Sequence, residues 1–379
     1  MEKTAKIQQA KKIMDDFLVR TGIKTSTGNV NNRYLWTDAF AVQSCFALKH
    51  LLSDDEYHQH AITLIDRVHH ILGKFHEDDP RSGWISGLPE EEGEKYPTLG
   101  GLRIGKKLPE RKEGEPFDEN LEWERDGQYF HYLTRWFNAL MTAHRETNNK
   151  KYAIWAAELI QAGEKFISNE GDTLRMYWKM NTELTGPIVR SMGAHDPLEG
   201  LLCLLKAKKE LPSHATALEP LEKKFIKLCR GMTWYTSDPL GIGSLLLNTA
   251  RAAALHLADA GLTPTTEAKY LLSDSIKGLQ MIHNEDYYAN NSAGGRLPFR
   301  ECGLSLGLNV LYGQRHAYQE KVGLNFQKLE DYLPISETVE DFWLKPSNQK
   351  ASTWIDHLNI NAVTLASSIL GEHKPEVFV

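Results

Sequence analysis

Apolar residues recur along this chain at the three-to-four-residue spacing of helices, and the runs are of two kinds. One kind is apolar nearly all round: AVQSCFALKHLL (41–52), GLLCLLKA (200–207), IGSLLLNTARAAALHLA (242–258), LSLGLNVLYG (304–313) and LNINAVTLASSILG (358–371). The other carries a single apolar stripe among charges: AKIQQAKKIMDDFLV (5–19), EPLEKKFIKLCRG (219–231) and TEAKYLLSDSIKGLQMIH (266–283). A helix of the first kind must be buried on all sides, and one of the second lies on a surface. The two kinds alternate. The spacing predicts helices near 3–20, 37–52, 55–74, 126–146, 150–168, 195–209, 216–233, 241–259, 264–283, 300–313, 315–322 and 353–370. The simplest closed arrangement is all-α: an (α/α)6 toroid of six helical hairpins, with the apolar helices as an inner ring. Six pairs divide 379 residues into units of about 63. An open solenoid would need polar capping repeats, and none stands out.

The starts of the apolar helices share a layout. Polar, aromatic-rich stretches lead into them: NNRYLWTDAF (31–40), EWERDGQYFHYLTRW (122–136), GAHDPLEGLLCLL (193–205), SDPLGIGSLLLN (237–248), LPFRECGLSLGLNVL (297–311) and STWIDHLNINAVTLA (352–366). In a closed ring these first turns converge on one face. Three long connections, 76–124, 169–194 and 284–299, belong to the same face, and long loops in compact domains are usually functional. Within them TLRMYWKM (173–180) alternates like a short strand, and YPTLGGLRIGK (96–106) reads as an ordered turn over the cavity mouth. GGLRIG lacks the GK[ST] ending of a phosphate loop. Helix starts are marked by Thr37–Asp38, Ser53 with Asp54 and Asp55, and Thr263–Pro264; helix ends are marked by Gly73, Gly261 and Gly371.

Composition narrows the picture. No linker or compositional break divides the chain, so residues 1–379 read as one domain, a monomer or homodimer. The net charge of -6, with both signs mixed, speaks against nucleic acid. The charged start MEKTAKIQQAKKIMDDF is not a signal peptide, and no run reaches the roughly 20 apolar residues of a membrane span. Cys45, Cys203, Cys229 and Cys302 form no CxxC pair and read as buried thiols of a cytoplasmic protein. Cys302 beside Glu301 is the one thiol placed at a helix start.

The helix starts supply acids and imidazoles: Asp38, Asp126 with Glu124 nearby, His195, Asp196, Glu199, Glu301 with Arg300, Asp356 and His357. General acid–base catalysis needs one proton donor and one acceptor about a reacting centre. An Asp in a first turn also stabilises a helix through its dipole, which is the competing reading for Asp38, Asp126 and Asp196. His131, one turn into its helix, reads as a core histidine. Tyr34, Trp36, Trp84, Trp123, Tyr129, Trp178, Trp234, Tyr235 and Trp354 lie in or beside the loops, where aromatic faces could stack on sugar rings. No HExxH, GxSxG, Walker or dinucleotide motif occurs, and His58, His60, His69 and His70 read as solvated. Cofactor-free, metal-free chemistry is the expectation.

The helix-pair rhythm over nearly the whole chain, with RYLWTDAFAV and DGQYFHYLTRW, resembles the six-hairpin glycosidase superfamily, uncharacterised branch. It is also similar to N-acylglucosamine 2-epimerase-like proteins. The resemblance implies a carbohydrate site at the amino ends of the inner helices. Hydrolases of this kind pair two carboxylates, to which Asp38 and Asp126, or either with Glu301, correspond. Epimerases use two histidines and an arginine, to which His195 (followed by Glu199), His357 and Arg33 correspond. Tyr34, Trp36, Tyr129, Arg190, Asp196, Arg300, Trp354 and Asp356 would then contact the substrate. The expected activity is hydrolysis of a small saccharide or glycoconjugate. The alternatives are sugar epimerisation through His195 and His357, and a toroid that only binds or acts on an isoprenoid-like substrate.

Overall fold

The computed structural model of the protein describes residues 3–25, 32–112, 114–170, 173–256, 266–282 and 291–379. Among these, twelve helices have ten or more residues. They are α1 (Lys3–Arg20), α2 (Leu35–Leu52), α3 (Glu56–Leu72), α4 (Phe130–Thr147), α5 (Lys150–Ala162) and α6 (Asp196–Glu210), followed by α7 (Ala215–Cys229), α8 (Pro239–His256), α9 (Ala268–Ile282), α10 (Pro298–Gly313), α11 (Pro334–Trp343) and α12 (Leu358–His373). Even-numbered helices are the apolar ones. In α12 every residue from Asn361 to Gly371 is buried, whereas α7 buries only Leu218, Leu221, Phe225, Leu228 and Cys229. The alternation read from hydrophobicity is therefore an alternation of burial.

By its contacts the chain forms two compact units. One comprises residues 1–20, 43–59 and 231–379. Within it α8 packs on α10 and α10 on α12, while α9, α11 and α1 lie against them. The α8–α10 crossing is close because Gly243, Gly303 and Gly307 bring backbone against backbone. The other unit comprises residues 21–42 and 60–230, in which α4 and α6 pack on each other and on α5, and α7 on α6.

Among its described residues the second unit also holds five short strands: β1 (Gln128–Tyr129), β2 (Ile167–Glu170), β3 (Thr173–Met176), β4 (Lys179–Met180) and β5 (Pro187–Val189). Strands β2 and β3 form a hairpin, and β4 lies antiparallel between β1 and β5. The alternating stretch 173–180 is thus two strands in two sheets. Pairing of β1 also moves the start of α4 from the expected 126 to Phe130.

Other differences have similar local causes. The expected helix 150–168 stops at Ala162, because Gly163–Phe166 tightens into a 3-10 turn that feeds β2. Helix α11 lies where no helix is expected from the sequence, and Ile335, Val339 and Trp343 form its buried stripe. Helix α12 begins at Leu358 rather than 353, since Asn361 donates to the carbonyls of Thr353 and Trp354 and folds Ser352–Ile355 into a separate turn. Gly371 lies inside α12 against Leu306 and Val310, so it serves close packing rather than a cap. The Thr263–Pro264 start and Gly261 lie outside the described residues.

Segment 96–106 is ordered, as expected. Leu102 and Ile104 are fully buried, and the segment is a strap stitched into the second unit. Its Arg103 N–H donates to Leu72 O, Ile104 N–H to Gly127 O, and Ile104 O accepts from Leu35 N–H. Gly101 and Gly105 have positive φ, and a Cβ on Gly105 would lie 2.1 Å from Arg33 O. The strap therefore requires glycine there. The four cysteines are buried and form no disulfide.

Candidate active site

The first turns of α2 and α4 place a group of rings around one imidazole. The His131 ring centroid lies 4.9 Å from Tyr132, 5.2 Å from Tyr129 (stacked), 6.1 Å from Trp178 and 6.2 Å from Trp36. Trp178 meets Trp123 edge-on, and Tyr34 shares a 2.6 Å hydroxyl contact with Tyr132. These aromatics come from α2 and the residue before it, from β1 and α4, and from the segments before β1 and β4. The β1–β4–β5 sheet is what brings the last two together.

Lys106 and Lys179 stand 5.9 and 5.3 Å from the Tyr129 ring centroid, at cation–π range. Lys179 donates to the carbonyls of Glu122 and Arg125, and Lys106 to that of Trp123. Burial pushes Lys179 down to about 8, with the Lys106 charge acting the same way.

Helix α6 supplies the acids. Glu199 is buried and fully engaged: Arg135 Nη2 donates at 2.7 Å and Thr134 Oγ1 at 2.6 Å. Asp196, one turn earlier, is also buried, but its Oδ2 has no hydrogen-bond partner among the described residues. Burial raises its pKa to about 8, with the Glu199 charge second; a Gly193 backbone hydrogen bond and Arg135 oppose. Asp196 Oδ1 is 4.0 Å from His131 Nδ1. Burial lowers His131 to about 4, and the opposing charges of Glu199 and Arg135 follow. Near neutral pH the pair is a carboxylic acid beside a neutral imidazole. A second orphan lies in the same aromatic group: the buried Trp36 Nε1–H has no acceptor among the described residues.

The other sequence-predicted acids are differently placed. Asp38 accepts from the Tyr34 N–H and pairs with Arg33 at 3.5 Å, fixing the entry to α2; burial raises its pKa and Arg33 opposes. Asp126 Oδ1 accepts from the N–H groups of Gly105 and Gly127, and its Oδ2 from Arg103. Arg103 also donates to the carbonyls of Lys74 and Ile71 at the end of α3. Asp126 is thus the buried knot that ties the strap to α3 and β1. His195 is buried at the N-cap of α6, and Arg190 is exposed, 5.8 Å from the Tyr177 ring.

Glu301, Arg300, Trp354, Asp356 and His357 belong to the other unit. There Glu301 accepts from Arg296 and from Trp343 Nε1, all buried. The Arg296 guanidinium lies 3.7 Å from the Phe342 centroid, and Trp354 stacks on Trp343. Arg300 pairs with Asp238, while Asp356 and His357 are exposed.

From sequence His131 reads as a core histidine, and Tyr132, Lys106 and Lys179 carry no expectation of a site role. The available signal was the density of rings in QYFHY, since an imidazole set among them is shielded from its ordinary hydration. From sequence the His69–His70 pair reads as solvated. His69 is buried, accepts from Trp136 Nε1 at 2.9 Å, and is lowered to about 3 by burial.

No family model and no curated protein matches the chain. Solved structures do. A GH76 α-1,6-mannanase of Salegentibacter sp., as an inactive variant in complex with α-1,6-mannotetrose, superposes with a TM-score of 0.57 at 13% identity, over 98% of this chain and 99% of that one. A further structure of that mannanase gives 0.56 at 13% identity, with the same coverage. A cellobiose 2-epimerase of Bacillus thermoamylovorans gives 0.45 at 11% identity, over 82% of this chain and 75% of that one. The fold is an (α/α)6 toroid like that of the mannanase. No helix among the described residues is long and apolar enough to cross a membrane.

Proposed function

We propose that the protein is a carbohydrate-active enzyme that hydrolyses a glycosidic bond in a small saccharide or glycoconjugate, with Asp196 as the general acid. One observation carries the reading. Two buried polar atoms beside the aromatic group, Asp196 Oδ2 and Trp36 Nε1, have no hydrogen-bond partner among the described residues. Leaving such atoms unpaired costs about 1–3 kcal/mol each, so they fit a ligand rich in hydroxyls. The surrounding Tyr and Trp rings suit the apolar face of a sugar.

Asp196 has what a proton donor requires: burial keeps it protonated at neutral pH, where an ordinary carboxyl would be ionised. Asp126 and Asp38 already hold an arginine and backbone amides, and serve this reading as supports of the site. The mannanase likeness supports the fold on which such a site is built and leaves the sugar open.

The test is NMR of saccharide mixtures, α-1,6-mannotetraose included, incubated with the protein and with Asp196→Asn. Release of new reducing ends by the wild type, lost in the variant, is expected. Interconversion of sugars without cleavage would overturn hydrolysis in favour of epimerisation. Equal cleavage by the variant would remove Asp196 from its role.

A further inference from the structure

We infer that His131 is the proton relay that reloads Asp196 from solvent, a role that rests on reading Asp196 as the acid. After one proton transfer to a departing oxygen, Asp196 is left as a buried carboxylate next to Glu199. Its side chain is only 4% exposed, whereas that of His131 is 23% exposed. Of the two side chains, the imidazole is the one that solvent reaches.

The geometry fits a relay rather than a static support. At 4.0 Å, Nδ1 and Oδ1 are too far apart for a direct hydrogen bond, and a single water or ligand hydroxyl seated between them can bond to both. No hydrogen bond among the described residues fixes the His131 tautomer. The groups facing it are Asp196 and Glu199 of α6, Arg135 and Tyr132 of its own helix, Tyr129 of β1, Trp36 of α2, and Trp178 before β4. Glu199 favours the imidazolium and Arg135 opposes it, so burial decides for the neutral ring.

The transfer balances without a co-reactant. The Nδ1–H tautomer gives its proton through the bridging oxygen to the Asp196 carboxylate. Nε2 takes one proton from solvent water, and the ring is left as the neutral Nε2–H tautomer. No bond other than these O–H and N–H bonds changes.

Two measurements test this on the intact protein. Where the wild type cleaves a saccharide, His131→Ala should lower kcat by about 100-fold, leave KM nearly unchanged, and regain activity with added imidazole. Undiminished kcat, or a loss that imidazole does not restore, overturns the relay. Independently of any substrate, the NMR titration of the His131 Cε1–H should show a second inflection at the Asp196 midpoint, absent in Asp196→Asn. A single inflection in the wild type overturns the coupling. Failure of every saccharide to react overturns the hydrolase reading instead, and leaves the titration to decide whether the two groups share a proton path.

Discussion

Asp196 and Glu199 stand one turn apart on α6, and the protein gives them opposite surroundings. Glu199 receives a guanidinium and a hydroxyl, which offset the cost of burying its charge. Asp196 receives no comparable donor on Oδ2, and the neighbouring Glu199 charge adds to the cost of ionising it. One buried carboxylate thus helps to keep the other protonated, which is how environments separate two acids of similar intrinsic strength.

The first prediction concerns that acid. Asp196→Asn should reduce kcat by about 10²–10⁴-fold, the range of a lost general acid. Because Asp196 acts in its protonated form, wild-type activity should fall as pH rises through about 8. A pH–rate profile of kcat/KM checks this. A flat rate from pH 6 to beyond about 9 would show that the acid lies elsewhere.

Asp126 is predicted to matter for stability rather than for the chemical step. Asp126→Asn leaves Arg103 as an uncompensated buried charge and weakens the strap's attachment to α3. Breaking one side of a buried pair costs about 3–5 kcal/mol. Urea unfolding should show that loss, with the kcat of the folded fraction lowered less than about tenfold. A kcat collapse at unchanged stability would return Asp126 to the catalytic set.

The fold was legible because burial of whole helices is written in single-sequence periodicity. The runs 200–207, 242–258 and 304–313 are apolar on every face, and no partner need be known to see it. Helix α11 escaped because ten residues with three apolar positions give a weak signal. The site was half legible. Asp38, Asp126, His195 and Asp196 were visible as polar residues at helix starts. What separates Asp126 from Asp196 is that Gly105 and Arg103, about 20 residues upstream, turn their donors onto the first and leave the second without. Such long-range pairing has no local signature. For His131 the nearest rings, Tyr129 and Tyr132, are local in sequence, whereas Trp36, Trp178 and Asp196, which complete its surroundings, are distant.

A third prediction follows from a shared proton. The Thr98 hydroxyl lies 2.9 Å from both Trp155 O and Glu158 Oε2, yet it has one hydrogen to give. Protonated Glu158 resolves this by donating to Thr98 Oγ1. Burial pushes Glu158 up to about 7, above the roughly 4.3 of an unfolded glutamate. Protonation therefore favours the native state, and this contribution is present below about pH 4.3 and lost as pH rises towards about 7. Glu158→Gln keeps a donor and removes the titration. Its unfolding free energy should match the wild type in acid and exceed it above pH about 7.5, by an amount on the order of 4 kcal/mol. Parallel stability–pH curves for the two proteins would refute the protonated form.

The last prediction tests the α8–α10 crossing. A Cβ on Gly243 would lie 2.1 Å from Gly303 O, and one on Gly307 would lie 2.4 Å from Gly243 O. Both obstacles are backbone, so no side-chain rotation relieves them, and the helices must move apart. Overpacking of this kind costs about 1–3 kcal/mol and occasionally more. Alanine would otherwise favour a helix over glycine by about 1 kcal/mol, so the two effects have opposite signs. Gly243→Ala should lower the urea midpoint, and Gly307→Ala should do the same. A raised midpoint in either variant would mean that helix propensity outweighs the contact, and that the two helices can separate at little cost.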